Sequence, residues 1–273
     1  MNLDGISVLC FGASYVLAFV LEGSALLWPG RVNRWLRRGV AAAGTLAHVV
    51  YVGRNAMPLA GGHSVLMLLA LILSVYYLSG TFHYPRTAWG LFVLPVILVL
   101  IAIARWQPQT LEPLVPPSDR GEQLWVWLHL LLMLAGMVGL CVACTASLMY
   151  LVKWSQLRNK LGPGAGVPMP NLERLETVHR RAVNLAFPLF TSGLLVGVLL
   201  MLHTERMPWT DPKLVTAGLL WLAFALLLVV RYGLQIRGRW VAVLTIVAFL
   251  LMVAAVVLPA LMSTAHPTGR VWP

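Results

Sequence analysis

The sequence predicts an all-α fold, a polytopic integral membrane protein with about eight transmembrane helices and both termini on the extracytoplasmic side. Three observations predict this class. Hydrophobic residues make up 59% of the 273 residues and charged residues only 11%, whereas a soluble domain carries roughly 25% charged residues. Eight apolar runs have about the length that crosses a bilayer. Lysine and arginine residues are distributed unequally between alternate connectors, as the rule for membrane orientation requires.

Each apolar run can form a helix, because in lipid a helix satisfies all of its backbone polar groups within its own segment. The fifth run is long, so we expect it to tilt or to extend into solvent. We find no strong internal repeat and no phosphate-binding or dinucleotide-binding glycine motif, and residues 1–273 therefore read as a single domain. The predicted spanning segments are 6–28, 39–57, 64–81, 88–105, 124–152, 182–203, 215–232 and 240–262.

The basic residues explain the orientation better than they indicate nucleic acid. The formal net charge is +11, but most of the 20 lysine and arginine residues lie in the connectors after the first, third, fifth and seventh runs. The positive-inside rule places those connectors in the cytoplasm, so both termini lie outside. We therefore expect a bacterial-type cytoplasmic (inner) membrane, with the lipid bilayer and no nucleic acid among the partners.

The order and spacing of residues between 172 and 240 resemble the cytochrome c assembly family, of the CcsA/HemX type of haem-handling membrane protein. Three further features agree with that family: a histidine at the outer start of the fifth helix, an early histidine followed by an arginine and a proline, and a histidine in a short tail after the last helix. The matching residues are Leu172, Glu173, Phe187, Pro188, Leu189, Thr191, Gly193, Gly197, Asp211, Pro212, Lys213, Trp221, Arg231, Arg237 and Gly238.

The resemblance implies a haem site at the outer face. In the family, two outer histidines are the axial ligands, and by position they are His129 and His266 here. A loop with tryptophan and aspartate, here Trp209 and Asp211, cradles the porphyrin. The implied function is binding or transfer of non-covalent b-type haem in cytochrome c biogenesis or cytochrome complex assembly, with membrane or extracytoplasmic assembly proteins as partners. No catalytic activity of the chain's own is implied.

Five further residues are candidates for haem contact. His48 lies in mid-membrane, and Arg54 lies about a turn and a half above it, where a guanidinium could pair with a propionate. Trp125 and Trp127 precede His129 at the proposed haem face, although an aromatic belt at the membrane interface is their alternative explanation. His203 ends the sixth helix beside the loop of Trp209, and an interfacial residue is its alternative reading.

Two departures from the family pattern favour an alternative function. The seventh-helix histidine of the family falls near Val229, which cannot bind iron, and the tryptophan-rich motif is reduced to Trp209 and Asp211. The alternative is a non-haem membrane scaffold subunit that kept the fold and lost the ligand site. Asp211 would then only cap the seventh helix, with Pro212 at its first position. A substrate transporter is a weaker third class, because we see no inverted repeat.

The other histidines and the cysteines have simple structural expectations. His129 would hydrogen-bond a neighbouring helix and His266 would be a solvated tail residue if neither bound haem. His63 and His83 are expected in loops, and His179 at a solvated cytoplasmic helix start. Cys141 and Cys144 lie deep in the fifth run among small residues, where close helix packing explains them better than redox chemistry.

Overall fold

The structure of the chain is a computed structural model, and it describes most of the sequence. Residues outside the described ranges include several of the predicted site. The described residues are 8–27, 34–55, 62–84, 87–107, 120–160, 166–203, 212–236 and 238–264.

Eight α-helices and one π-helical turn account for most of the described residues, and none of those residues forms a strand. The all-α class is therefore confirmed. The helices are α1 (Val8–Leu27), α2 (Arg34–Asn55), α3 (Gly62–His83), α4 (Gly90–Trp106), α5 (Arg120–Arg158), α6 (Leu172–His203), α7 (Pro212–Leu228) and α8 (Arg239–Thr264), with the π turn Val229–Gly233 continuing α7.

Six of these helices, namely α1, α3, α5, α6, α7 and α8, are long and apolar enough to cross a membrane. The protein is thus an integral membrane protein with several transmembrane helices. Helix α4 is apolar but has 17 residues, and α2 has arginines within its first turns and is less hydrophobic. The count of eight spanning helices and the side on which the termini lie stay predictions.

Contacts between helix ends define the two ends of the bundle. At one end, the Gln107 side chain donates to the carbonyl of Val256 and lies against Gly62. At the other end, Arg37 pairs with the buried Glu22 carboxylate at 2.6 Å, and Arg38 donates to the Thr81 carbonyl at 3.0 Å. We call the first the outer end and the second the inner end, following the predicted orientation.

Helices α5 and α6 share the most extensive packing in the fold. Glycines on both helices allow the close approach. A Cβ atom at Gly139 would lie 2.6 Å from the Cβ of Ala186, and one at Gly136 would lie 2.8 Å from the Cβ of Phe190. Small residues at such positions let helix backbones pack closely in membranes, where the hydrophobic effect gives no driving force between helices.

Several predicted boundaries need correction. Helix α6 is continuous from Leu172 to His203, whereas the predicted span begins at residue 182. The Asn171 side chain caps this helix, because it accepts the backbone N–H of Arg174 at 3.0 Å. Helix α5 has 39 residues and starts at Arg120, so at about 1.5 Å per residue it is much longer than a bilayer core of about 30 Å.

Candidate functional site

His129 is the outer candidate ligand that the structure describes, and α6 fixes its orientation. Its Nδ1 lies 2.7 Å from the carbonyl oxygen of Gly193. A carbonyl only accepts, so Nδ1 carries the proton and donates. Hydrogen bonding of one ring nitrogen to a backbone carbonyl determines the tautomer and leaves the other nitrogen with its lone pair. No described residue hydrogen-bonds Nε2 of His129, which is therefore the nitrogen available to a ligand.

Gly197 provides the space in which the His129 ring lies. A Cβ atom at this position would be 2.6 Å from Cε1 and 2.9 Å from Nδ1 of the imidazole. Gly193 and Gly197 are one helical turn apart, so one accepts the ring's proton and the next accommodates the ring. Both glycines are among the residues on which the family resemblance rests, and the structure shows that each of them contacts His129.

The two tryptophans near His129 occupy different faces of α5. Trp125 is one turn before His129, so the two side chains share a face, whereas Trp127 is two residues away and points elsewhere. Trp125 is 51% exposed and Trp127 is 40% exposed. Of these two tryptophans, Trp125 is therefore the one that shares a face of α5 with His129.

The remaining outer residues of the predicted site lie outside the described residues. These are His266, Trp209 and Asp211, together with the side chain of His203, the last residue of α6. Helix α7 begins at Pro212, as the capping interpretation of Asp211 expects. Helix α8 packs on α5 and ends at Thr264 near the outer end, two residues before His266 in sequence.

His48 lies in the outer half of α2 and is fully buried. Its ring stacks on Phe11 with centroids 4.2 Å apart, and its Nδ1 lies 3.2 Å from the Tyr15 hydroxyl. Among the described residues, Nε2 of His48 has no hydrogen-bond partner. Arg54 is exposed near the outer end of α2 and has an interaction of its own.

The position that the family pattern gives to a second intramembrane histidine cannot pair with His48. Val229 begins the π turn at the inner end of α7 and is 56% exposed. His48 is seven residues from the end of α2 at the outer end. In addition, α2 and α7 are not among the helix pairs that pack together.

His63 was expected in a loop, and this expectation is wrong. It lies in the first turn of α3 and is 2% exposed. Its Nδ1 donates to the carbonyl of Ala104 at 2.8 Å, and its Nε2 lies 3.3 Å from the Tyr51 hydroxyl. Both ring nitrogens are therefore satisfied. His83, also expected in a loop, is the exposed last residue of α3.

His179 was expected at a solvated helix start, and it is instead 5% exposed. Its Nε2 donates to the hydroxyl of Thr245 at 2.7 Å, and that hydroxyl donates in turn to the Val241 carbonyl. The Arg231 guanidinium lies 2.9 Å from Nδ1 and 3.3 Å from the Glu176 carboxylate. One sequence signal pointed to this contact. Arg231 ends an apolar helix, and a buried arginine needs a hydrogen-bonding or charged partner.

Two further residues from the resemblance form a direct contact. The indole N–H of Trp221 on α7 donates to the hydroxyl of Thr191 on α6 at 3.0 Å. Their joint presence in the pattern therefore reflects an interhelical hydrogen bond. Cys141 and Cys144 are both buried in α5, which agrees with the packing interpretation. Within the described residues, no three histidine, cysteine or carboxylate side chains converge on a possible metal position.

The helices and the half-satisfied histidines together define a helical membrane protein with imidazole nitrogens available near its outer end. The chain belongs to the cytochrome c assembly protein family, because the model of that family, described as "Cytochrome C assembly protein", matches residues 61–266. The resemblance inferred from the sequence is thus confirmed.

Curated relatives agree with the family. The chain is similar to the cytochrome c biogenesis protein CcsA of Chlamydomonas reinhardtii, with 26% identity over 71% of this chain and 56% of the relative. The CcsA proteins of Thermosynechococcus vestitus (26% identity, 59% of this chain, 62% of the relative) and Guillardia theta (25% identity, 71% and 70%) are also similar. The chain spans 56% and 62% of the first two relatives. No solved structure matches the chain significantly.

Proposed function

We propose that the chain binds haem at its outer end during cytochrome c biogenesis, with Nε2 of His129 as one axial ligand and His266 as the other. The observation that carries the proposal is the hydrogen bond from Nδ1 of His129 to the Gly193 carbonyl at 2.7 Å. Metal-binding histidines almost always donate their other ring N–H to such an acceptor, which orients the ring and raises its basicity. Imidazole is an established axial ligand of haem iron.

The surroundings of His129 fit a porphyrin better than they fit a buried structural histidine. The ring is only partly buried, with Gly197 beside it and the half-exposed Trp125 one turn away. An aromatic ring on that face can stack on a planar macrocycle. Because α8 packs on α5 and ends near the outer end, His266 follows a helix that leads toward the same region.

The chain's own residues have separate roles in this proposal. His129 holds the iron, Gly193 sets the tautomer, and Gly197 leaves space for the ring. Trp209 would stack on the porphyrin, with Asp211 holding the loop that carries it. Bound haem would supply the iron and the group to be delivered to an apocytochrome, and membrane or extracytoplasmic assembly partners would receive it.

Visible spectroscopy of the purified protein with added haemin tests the proposal. We expect low-spin bis-histidine bands in the wild-type protein and their loss in His129→Ala and in His266→Ala. His83→Ala is the matched control, because that histidine is exposed at the inner end and its removal should leave the bands unchanged. Exogenous imidazole should restore the bands in His129→Gly, whose missing side chain leaves room for the free ligand.

A second variant tests the positioning of the ring rather than the ligand itself. Gly197→Ala places a methyl group against the imidazole, and we expect haem affinity to fall by about tenfold or more, as when a supporting group of a metal ligand is changed. A protein that stays colourless under all conditions would instead favour the scaffold function. Bands that persist in both histidine variants would refute these ligands.

A further inference from the structure

A large cleft opens at the inner end of the bundle, far from His129. Its volume is about 500 Å³, which is in the range of small-molecule sites of about 300–1,000 Å³. Helices α3, α5 and α6 form its walls. The apolar part of the lining consists of Tyr76, Val142, Leu175, Val178, Ala182 and Leu185.

Two inner connectors, one between α3 and α4 and the other between α5 and α6, contact each other beside the cleft. The backbone N–H of Ala88 donates to the carbonyl of Pro168 at 2.9 Å. Arg174, in the first turn of α6, donates to the Tyr84 hydroxyl at 3.0 Å, and its guanidinium lies 4.7 Å from the centre of the same ring. The arginine at the rim is therefore held in position by the fold.

The polar part of the lining is basic. It contains Arg174, Arg181 and His83, and none of the described residues that line the cleft is acidic. The nearby carboxylates Glu173 and Glu176 line a different cleft, together with Arg180. The apolar walls and the cationic rim together match an amphipathic anion.

Trp89 supplies a hydrogen-bond donor that lacks an acceptor. The residue is only 7% exposed, and no described residue accepts its indole N–H. The nitrogen lies directly against Gly80, which also lines the cleft. A buried donor without a partner carries the full cost of its desolvation, but this nitrogen is itself closed off from the cleft, so Trp89 contributes an aromatic wall rather than a ligand contact.

The depth of the cleft identifies the source of the anion. A bilayer core of about 30 Å corresponds to about 20 helical residues. Counted back from His203, about 20 residues end near residue 184, so Leu185 lies at the inner edge of the hydrocarbon and Arg181 about one turn further in. Arg174 is two more turns in, at the level of the lipid headgroups. Leu185 is 64% exposed, so the cleft opens toward the bilayer.

We propose that this cleft binds the headgroup of an anionic phospholipid, with Arg174 and Arg181 at the phosphate and an acyl chain along the apolar wall. Basic pockets between transmembrane helices on the cytoplasmic side recognise anionic lipid headgroups. The site is separate from the proposed haem site and does not depend on it.

Native mass spectrometry in detergent, with phosphatidylglycerol and phosphatidylcholine added at equal concentration, tests the proposal. We expect selective retention of phosphatidylglycerol by the wild-type protein, and affinity at least about tenfold lower in Arg181→Gln, because a charge-assisted hydrogen bond is lost. Trp89→Phe keeps an aromatic wall and removes only the buried N–H, so we expect the lipid affinity to change little. The matched control is Arg180→Gln, which changes the same charge at the neighbouring position on another face.

Each result decides between the sources. Equal losses of phosphatidylglycerol affinity in Arg180→Gln and Arg181→Gln would mean that the lipid is attracted generally to a basic surface, and this result would overturn the proposal. Displacement of the bound lipid by haemin or by inorganic phosphate alone would also overturn it. If a variant does not fold, the wild-type protein still gives an answer. Phosphatidylglycerol with a photoreactive acyl chain should crosslink to α3, α5 or α6 near the cleft, and crosslinks confined to other helices would refute the site.

Discussion

His129 near the outer end and His179 near the inner end use their ring nitrogens in opposite ways. At the outer end, His129 uses one ring nitrogen in a hydrogen bond to Gly193, and no described residue contacts the other through a hydrogen bond. At the inner end, His179 uses both nitrogens, one to Thr245 and one to Arg231. A fully satisfied imidazole holds helices together, whereas a half-satisfied one keeps a lone pair for another ligand.

The same contrast separates His48 from His63 in the first half of the chain. His63 bonds through both nitrogens, to Ala104 and Tyr51, whereas Nδ1 of His48 meets Tyr15 and its Nε2 has no hydrogen-bond partner within 3.5 Å among the described residues. Burial does not distinguish the two, because both are almost fully buried. Hydrogen-bond accounting therefore separates structural from available histidines where the exposed fraction of the side chain does not.

The largest expected effect on stability concerns the inner histidine. His179→Ala removes the partner of Thr245 and one partner of the buried Arg231 guanidinium, and we expect a loss of about 3 kcal/mol in the free energy of unfolding. Denaturant unfolding in detergent micelles measures it, with His83→Ala as the control. A loss below about 1 kcal/mol would contradict the structural role, and the haem spectrum should not change.

The next largest effect on stability concerns the packing of α5 against α6. Gly139→Ala places a methyl group against Ala186, and overpacking of this kind costs about 1–3 kcal/mol. Gly218→Ala is the matched control, because a Cβ atom there meets nothing within 4 Å. Thermal unfolding of the two variants should differ clearly, and similar melting temperatures would mean that the α5–α6 pair is looser than described.

A smaller effect is expected for the hydrogen bond between α6 and α7. Trp221→Phe and Thr191→Val each remove one partner of the 3.0 Å bond, and each should cost about 1 kcal/mol. Because the two residues share one interaction, the double variant should cost less than the sum of the two single variants. Strictly additive losses in a double-mutant cycle would show that the bond contributes nothing.

The smallest effect on stability is expected for the outer histidine. His129→Ala removes one hydrogen bond to Gly193, and the protein without added haem should lose about 1 kcal/mol or less. The same variant should abolish haem binding. His179→Ala should instead lower the free energy of unfolding strongly and leave haem binding unchanged. Denaturant unfolding and haem titration of both variants therefore test the contrast directly. A large loss of stability in His129→Ala would make this histidine structural.

Much of the fold could be predicted from the sequence, because lipid permits so few backbone structures. Every apolar run corresponds to a helix. The length of α6 was missed because its first turns are charged, and a search for apolar spans excludes them. Within these turns His179 is buried, and its partners Arg231 and Thr245 lie far away in the sequence.

The site was predicted less completely than the fold. Residue type and family pattern identified His129, but its hydrogen bond to Gly193 depends on the register of α6 against α5. His179 and Arg231 looked like part of a basic inner surface that sets the orientation. Arg231 contacts His179 from within the π turn Val229–Gly233, and no local sequence pattern predicts that turn. His63 was missed because α3 begins one to two residues earlier than its apolar run.

The close contact between α5 and α6 also determines which genetic changes can compensate for each other. A Cβ atom at either glycine would also lie 3.1–3.3 Å from backbone atoms of α6, so the nearest side chain distinguishes the two. The nearest atom to Gly139 is the Cβ of Ala186, which Ala186→Gly removes at the cost of one methyl group, so a strain carrying Gly139→Ala should yield this second-site suppressor. The nearest atom to Gly136 is the Cβ of the fully buried Phe190, whose removal would leave a cavity in the core. Revertants at position 136 should therefore restore glycine itself, so two neighbouring glycines of one helix would show different patterns of reversion.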